Sequence, residues 1–227
     1  MKKLLATSAL SLVLVAGTAY PVTAKRSIIS SNESVGYNAE SGEVSLGGFS
    51  GLTFVKNEST SEKYIFYTLT DRGPNAELRD FGDGNLKRPF ILPSFTPQIL
   101  KISYDVSKNK SEIIDRIFLK KADGKNATGL PNVDKDRVSE NFDESPVDLK
   151  GKPLKFDPWG LDPESIAMDG QGNFWVGEEY GPSILKISQS GKILGRWFPK
   201  VKYVSSYKTR GGSSGLSSFF GKRILSG

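Results

Sequence analysis

The chain has 227 residues, 37% hydrophobic, 25% charged and 11% aromatic, a composition typical of a folded domain and unlike that of a disordered or collagen-like chain. It contains no cysteine and no histidine, which excludes disulfides, thiol nucleophiles, Cys/His zinc sites and every mechanism with a histidine base. The formal charge of +6 sits at the ends: of 31 basic residues, two are Lys2 and Lys3 and six follow residue 199, leaving 23 against 25 acids between, so no basic surface for nucleic acid is indicated.

Residues 1–24 read as a signal peptide. Lys2 and Lys3 are followed by an apolar run from Leu4 to Ala16, and Val22-Thr23-Ala24 offers the small residues of a cleavage site near Ala24/Lys25. The run is short for a membrane span and no second one follows. The expectation is a secreted or periplasmic protein with no membrane association after signal removal.

Residues 25–50 have room for a strand or two. From there the chain shows short β-branched and aromatic runs at 51–54, 64–70, 99–103, 112–119, 165–168, 173–177, 184–188 and 192–197, separated by turn sequences such as Asp169-Gly170-Gln171-Gly172-Asn173. No stretch sustains a helical period, so the fold class is all-β. The runs repeat: each set of four occurs in the same order, a Gly-Pro pair falls in the same loop (Gly73-Pro74, Gly181-Pro182), and Ile-Leu-Lys-Ile-Ser recurs at 99–103 and 184–188. Four short strands joined by hairpins make a propeller blade, so the reading is a β-propeller with two recognisable blades. The first copy carries an insertion at 75–97, and 120–160 is a polar connection. Two blades do not close a propeller. The Ser- and Gly-rich basic segment 205–227 does not continue the repeat, which predicts a partial propeller domain over 25–204 and a tail outside it, as a truncation or frame change would produce.

The loops after the second strand of each copy carry Asp71-Arg72-Gly73-Pro74 and Glu178-Glu179-Tyr180-Gly181-Pro182, which makes Asp71 and Glu179 equivalent. The second copy opens on Gly160-Leu161-Asp162-Pro163-Glu164. Carboxylates converging on one rim supply the hard oxygen ligands that Ca²⁺ requires. The candidate metal ligands are therefore Asp71, Asp162, Glu164, Glu178 and Glu179. The competing reading is that these acids cap turns and pair with Arg72 and nearby lysines. The segment 80–85 reads as a turn in preference to a cation loop, Ser183 and Lys186 on a strand do not form a Ser-x-x-Lys dyad, and Trp159, Trp175 and Trp197 are expected to pack between blades.

Three motifs, residues 69–75, 160–167 and 178–182, resemble the phytase-like β-propeller family, the "esterase-like activity of phytase" proteins, over about residues 47–199. The resemblance implies an exported propeller related to calcium-dependent phytases. It does not by itself specify a reaction; the leading reading of the rim residues is a metal-dependent hydrolase of phosphate or other esters, with Asp71, Arg72, Glu164 and Glu179 as the catalytic set and Arg72 contacting a small anionic ester. The family's Arg-Gly-Phe-Glu-Gly-Leu segment is not reproduced here, since Arg210-Gly211 continues as Gly212-Ser213-Ser214. The alternatives are a non-catalytic secreted propeller that binds a ligand or protein, and a lactonase-like sugar-ester hydrolase.

Overall fold

The computed structural model describes residues 33–132, 145–199 and 220–223. The predicted signal peptide lies outside them, as does most of the tail. Among the described residues there is no α-helix, only a 3₁₀ turn at Lys56–Glu58, and the fold is all-β.

A hairpin of β1 (Ser34–Asn38) and β2 (Gly42–Ser45) comes first. The first four-stranded sheet follows: β3 (Phe49–Phe54) and β4 (Lys63–Thr70), then, after the insertion's short strands β5 (Arg79–Asp80) and β6 (Leu86–Pro89), β7 (Gln98–Asp105) and β8 (Lys110–Phe118). The order β3-β4-β7-β8 is antiparallel throughout. A short β9 (Pro146–Val147) pairs in parallel with β6, so the insertion and the connecting segment hold each other.

The second sheet contains β10 (Pro163–Met168), β11 (Phe174–Glu178), β12 (Ser183–Ile187) and β13 (Ile193–Pro199) in the same antiparallel order. The sheet gains a fifth strand, β14 (Phe220–Arg223), paired with β13, so part of the tail contributes backbone to a sheet. The two predicted sets of four strands are thus both present, displaced by no more than about two residues at their ends.

Strand alternation explains how the sheets meet. Ile65, Tyr67 and Leu69 share one face of β4, and with Ile99 they pack against Ile166, Phe174, Val176, Leu185 and Ile187 of the second sheet. The Tyr67 and Phe174 rings meet edge to face at 4.9 Å. Each fully buried side chain in this layer contributes about 1.5–3 kcal/mol. Gly51 lets β3 come close to β10. Its φ is +63°, and a Cβ there would lie 3.0 Å from backbone atoms of Ser165 and Ile166.

The chain leaving β8 also ties the sheets together through backbone. Lys120 N–H donates to the Gly191 carbonyl (2.8 Å) and its own carbonyl accepts from Ile193 N–H (2.9 Å). This fixes the β12–β13 hairpin against the exit of the first sheet. The ends of β4 and β11 and the start of β10 come together as a result, and the acidic loops lie there.

Candidate functional site

β4 ends at Thr70, and the next residues turn sharply. Asp71 N–H donates to the Gly48 carbonyl (2.7 Å), and Asp71 Oδ1 accepts the Gly73 N–H (2.8 Å). Gly73 adopts φ +94°, with the Phe95 ring where a Cβ would stand, so no other residue makes this turn without strain. The equivalent Gly181 after β11 also has positive φ, at +52°. Equivalent loops thus share one backbone device in both sheets.

The turn aims Arg72 at the second sheet. Its backbone N–H donates to Asp162 Oδ1 (3.0 Å), and its guanidinium Nη1 lies 3.0 Å from Asp162 Oδ2. The guanidinium also sits 5.7 Å from the Tyr180 ring centroid, and the Tyr180 hydroxyl donates to the Gly129 carbonyl (3.2 Å). The Asp162 side chain is 1% exposed. Its Oδ2 accepts no well-aligned hydrogen bond, so the guanidinium's charge is its compensation. Burial pushes the Asp162 carboxyl up to about 7, against the pull of Arg72 and helped by the nearby Glu164 and Asp71 charges.

Asp162, Glu164 and Glu179 each present a carboxylate oxygen within 4.8 Å of the others; Asp162 is buried and the two glutamates are exposed. Glu179 N–H donates to the Asp162 carbonyl (3.0 Å), which locks the two loops at this spacing. Asp71 stands beside this group. Burial raises its pKa, Gly73 and Arg72 oppose the rise, and the Glu164 charge adds to it.

Of the five residues expected to ligate metal, three are therefore gathered in one cluster with Asp71 next to it. Glu178 is placed differently. Phe174, Val176 and Glu178 are all buried on the same face of β11, and Glu178 points into the protein. Its Oε2 accepts from the Ser183 hydroxyl (2.8 Å) and Arg196 Nη2 (2.5 Å), and its Oε1 accepts weakly from Asp162 N–H (3.4 Å). Both oxygens are thus engaged beneath the cluster. Burial raises the Glu178 pKa to about 7, and Arg196 and Ser183 oppose the rise. Arg196 Nη2 also reaches the Tyr180 carbonyl (3.3 Å), so this buried pair supports both acidic loops from below.

The remaining sequence expectations fall into place around the site. Asp80 Oδ1 accepts the N–H groups of Gly82, Asp83 and Gly84, so the 80–85 segment is a self-satisfied turn. Asp169 caps its hairpin through the N–H groups of Gln171 and Asn173. Trp159 is partly buried against the hydrophobic core. Trp175 and Trp197 differ from expectation: they stack on each other within the second sheet, centroids 5.3 Å apart, bridging over β12. Ser183 serves the Glu178–Arg196 pair, not Lys186.

Known proteins match this chain in one consistent direction. The sequence model of a family described as phytase-like, "esterase-like activity of phytase", matches residues 44–217. An "Uncharacterized secreted protein" of Arthroderma benhamiae is 24% identical over 172 residues, covering 70% of this chain and 34% of the relative. The chain thus spans about a third of the length of the curated relative it matches. No solved structure matches.

Proposed function

The chain belongs to the phytase-like ("esterase-like activity of phytase") family, and on that footing we propose that it is an exported hydrolase of phosphate esters or related esters that works with a bound calcium ion. The observation that carries the reading is the convergence of Asp162, Glu164 and Glu179 within 4.8 Å. The residues fit such an ion. Their ligand atoms are hard carboxylate oxygens, and burial disfavours the Asp162 anion in spite of Arg72, as its raised pKa reflects. When bound, calcium supplies positive charge to an anionic substrate and acidifies a coordinated water.

The chain's own residues take the other roles. Arg72 offers a planar fork beside the cluster, held in place by Tyr180, for an anionic oxygen of the substrate. Asp71 is fixed by the Gly73 N–H and has a raised pKa, which suits a base or a further ligand. Glu164 and Glu179 are open to solvent and reachable by a small ester. Export is supported by the secreted relative and by the predicted signal over residues 1–24; no helix among the described residues is long and apolar enough to cross a membrane.

One observation favours a non-catalytic exported binding module instead: Arg72 already pairs with Asp162 and partly neutralises it without any metal. A single experiment separates the two. A panel of phosphate and acyl esters is assayed with calcium and with EDTA, for the natural chain and a Glu164→Gln/Glu179→Gln variant. Calcium-dependent turnover reduced at least about 100-fold in the variant is the expected result. Turnover that survives the variant overturns the assignment, and calcium binding without turnover favours the binding module.

A further inference from the structure

The repeat turns the packing of the two large sheets into a template. Their ladders align on the shared pentapeptide: the pairs Leu69–Ile99 and Thr68–Leu100 of the first sheet correspond to Gly177–Ile184 and Val176–Leu185 of the second. Phe66 is therefore the counterpart of Phe174, Thr68 of Val176, and Tyr67 of Trp175. Alternation gives each sheet two faces, one carrying Phe66 or Phe174 and the other Tyr67 or Trp175. The sheets meet unlike face to unlike face, with Tyr67, Leu69 and Ile99 of the first against Phe174, Val176 and Leu185 of the second. One face of each kind is left over.

Both remaining faces are apolar and open. On the first sheet, Leu52 and Phe54 are 62% and 49% exposed. Phe54 lies edge-on to Tyr64 (6.1 Å) and against Phe66 (5.4 Å), and Tyr64 stacks on Tyr104 (6.1 Å), so the rings form one connected patch. Residues 34–37 and the 92–96 loop stand over the Gln98 end of this face, and the patch is the rest of it. Leu52 pairs with Thr68 as Ile166 pairs with Val176, and Ile166 is only 8% exposed because its face is covered.

On the second sheet, the stacked Trp175 and Trp197 share their face with Ile184, which pairs with Trp197 and is 38% exposed. Its counterpart Ile99 lies on the covered face of the first sheet and is 0% exposed. The two faces also share a device at their centres. Lys101 Nζ lies 5.6 Å from the Tyr67 ring centroid, and Lys186 Nζ lies 5.4 Å from that of Trp175.

Large contiguous apolar patches on a soluble protein mark interaction surfaces. Each patch here is the counterpart of a face that this chain buries against a face of the other kind, so the partner that fits both at once is another copy of the chain. We infer that copies associate head to tail, the Trp175–Trp197 face of one packing on the Leu52–Phe54–Phe66 face of the next. A contact between unlike faces generates a ring when its rotation closes. With two large sheets per copy, two copies bring four sheets together and three bring six, within the roughly four to eight of closed propellers. The association is independent of the metal reading, because neither face includes the acidic cluster.

The test is sedimentation of the whole chain, in EDTA so that no metal contributes. The mass should rise with concentration over about 1–100 μM, and tryptophan emission should move to shorter wavelength over the same range as Trp175 and Trp197 are covered. Leu52→Lys and Ile184→Lys each place a charge at an exposed position, where folding is retained, and each weakens association about 100-fold or more. Each variant keeps one intact face, so an equimolar mixture of the two forms a one-to-one heterodimer that grows no further. If one variant does not fold, the other's loss of association and the emission shift of the natural chain carry the test. A natural chain that stays monomeric over the whole range, association unaltered in the variants that fold, or a mixture of folded variants that stays monomeric each overturns the inference.

Discussion

Replacing Arg196 by Met breaks an ion pair in which the two side chains are 2% and 0% exposed, and its consequences can be worked out from the contacts around it. Removing one partner of a buried pair costs about 3–5 kcal/mol, because the other charge is left uncompensated. Here the loss includes the bonds to Ser183 and to the Tyr180 carbonyl. For a chain of this size the midpoint of thermal unfolding should fall by about 10 °C. The cost depends on pH. Burial already holds the Glu178 carboxyl at about 7 with Arg196 present, and without that partner the group rises further, while in the unfolded chain it titrates near 4.5. A raised acid gives stability that is complete below the unfolded pKa and is lost as pH rises through the folded one. The gap between the variant and the natural chain is therefore widest near pH 8 and narrows toward pH 5. The assay is urea unfolding at both pH values, with a constant m-value as the sign that only stability changed. In the double variant Glu178→Gln/Arg196→Met neither charge of the pair remains, and more than half the lost stability should return. A double variant whose loss equals the sum of the single losses refutes the reasoning.

Three further outcomes follow from the same structure. Calcium at about 100 times its dissociation constant should add about 2.7 kcal/mol and raise the melting midpoint by roughly 5–10 °C, with no rise in Glu164→Gln/Glu179→Gln; an equal rise in both rejects the cluster as the binding site. Asp162 titrates at about 7 when folded and near 3.8 when unfolded, so its contribution to stability is full below about pH 4 and lost as pH rises to 7. Calorimetry without metal should accordingly show the midpoint falling from pH 5 to 7.5, less steeply in Asp162→Asn, and a slope unchanged in that variant counts against Asp162 as its source. Gly51→Ala should cost about 1–3 kcal/mol in chemical unfolding, since it strains a φ of +63° and forces β3 away from β10; a neutral result means that the contact yields.

The paired sheets were legible because the repeat and the β-branched runs act locally: residues 64–70 and 99–103 form strands, and both copies pair in the same order. Turn chemistry was legible for the same reason, at Asp169 and at Gly73. The short strands β5, β6 and β9 were not, since two to four residues carry no period and β6 and β9 are brought together from distant parts of the chain. At the site, Asp162, Glu164 and Glu179 could be named from their loops. The inward direction of Glu178 was readable from alternation with Phe174 and Val176, but its doubled acid suggested metal instead. Arg196 was hidden by a bulge. Ile187 pairs with Ile193 and Lys186 with Gly195, so β13 contains one extra residue, and Arg196 faces inward on the same side as Ile193 although simple alternation places it outside.

The backbone bridge at Lys120 bears on how freely this sequence can vary. Because main-chain atoms of Lys120 hold the β12–β13 hairpin at a fixed height against the first sheet, the alignment of the two sheets does not depend on any one pair of interlocking side chains. Residues such as Ile65, Val176 or Leu185 can then be exchanged for others of similar volume without the layers slipping past each other, and the spacing of the acidic loops is carried through unchanged. Divergence in the hydrophobic layer and constancy at the rim are thereby made compatible, with a pair of peptide hydrogen bonds as the datum that both share.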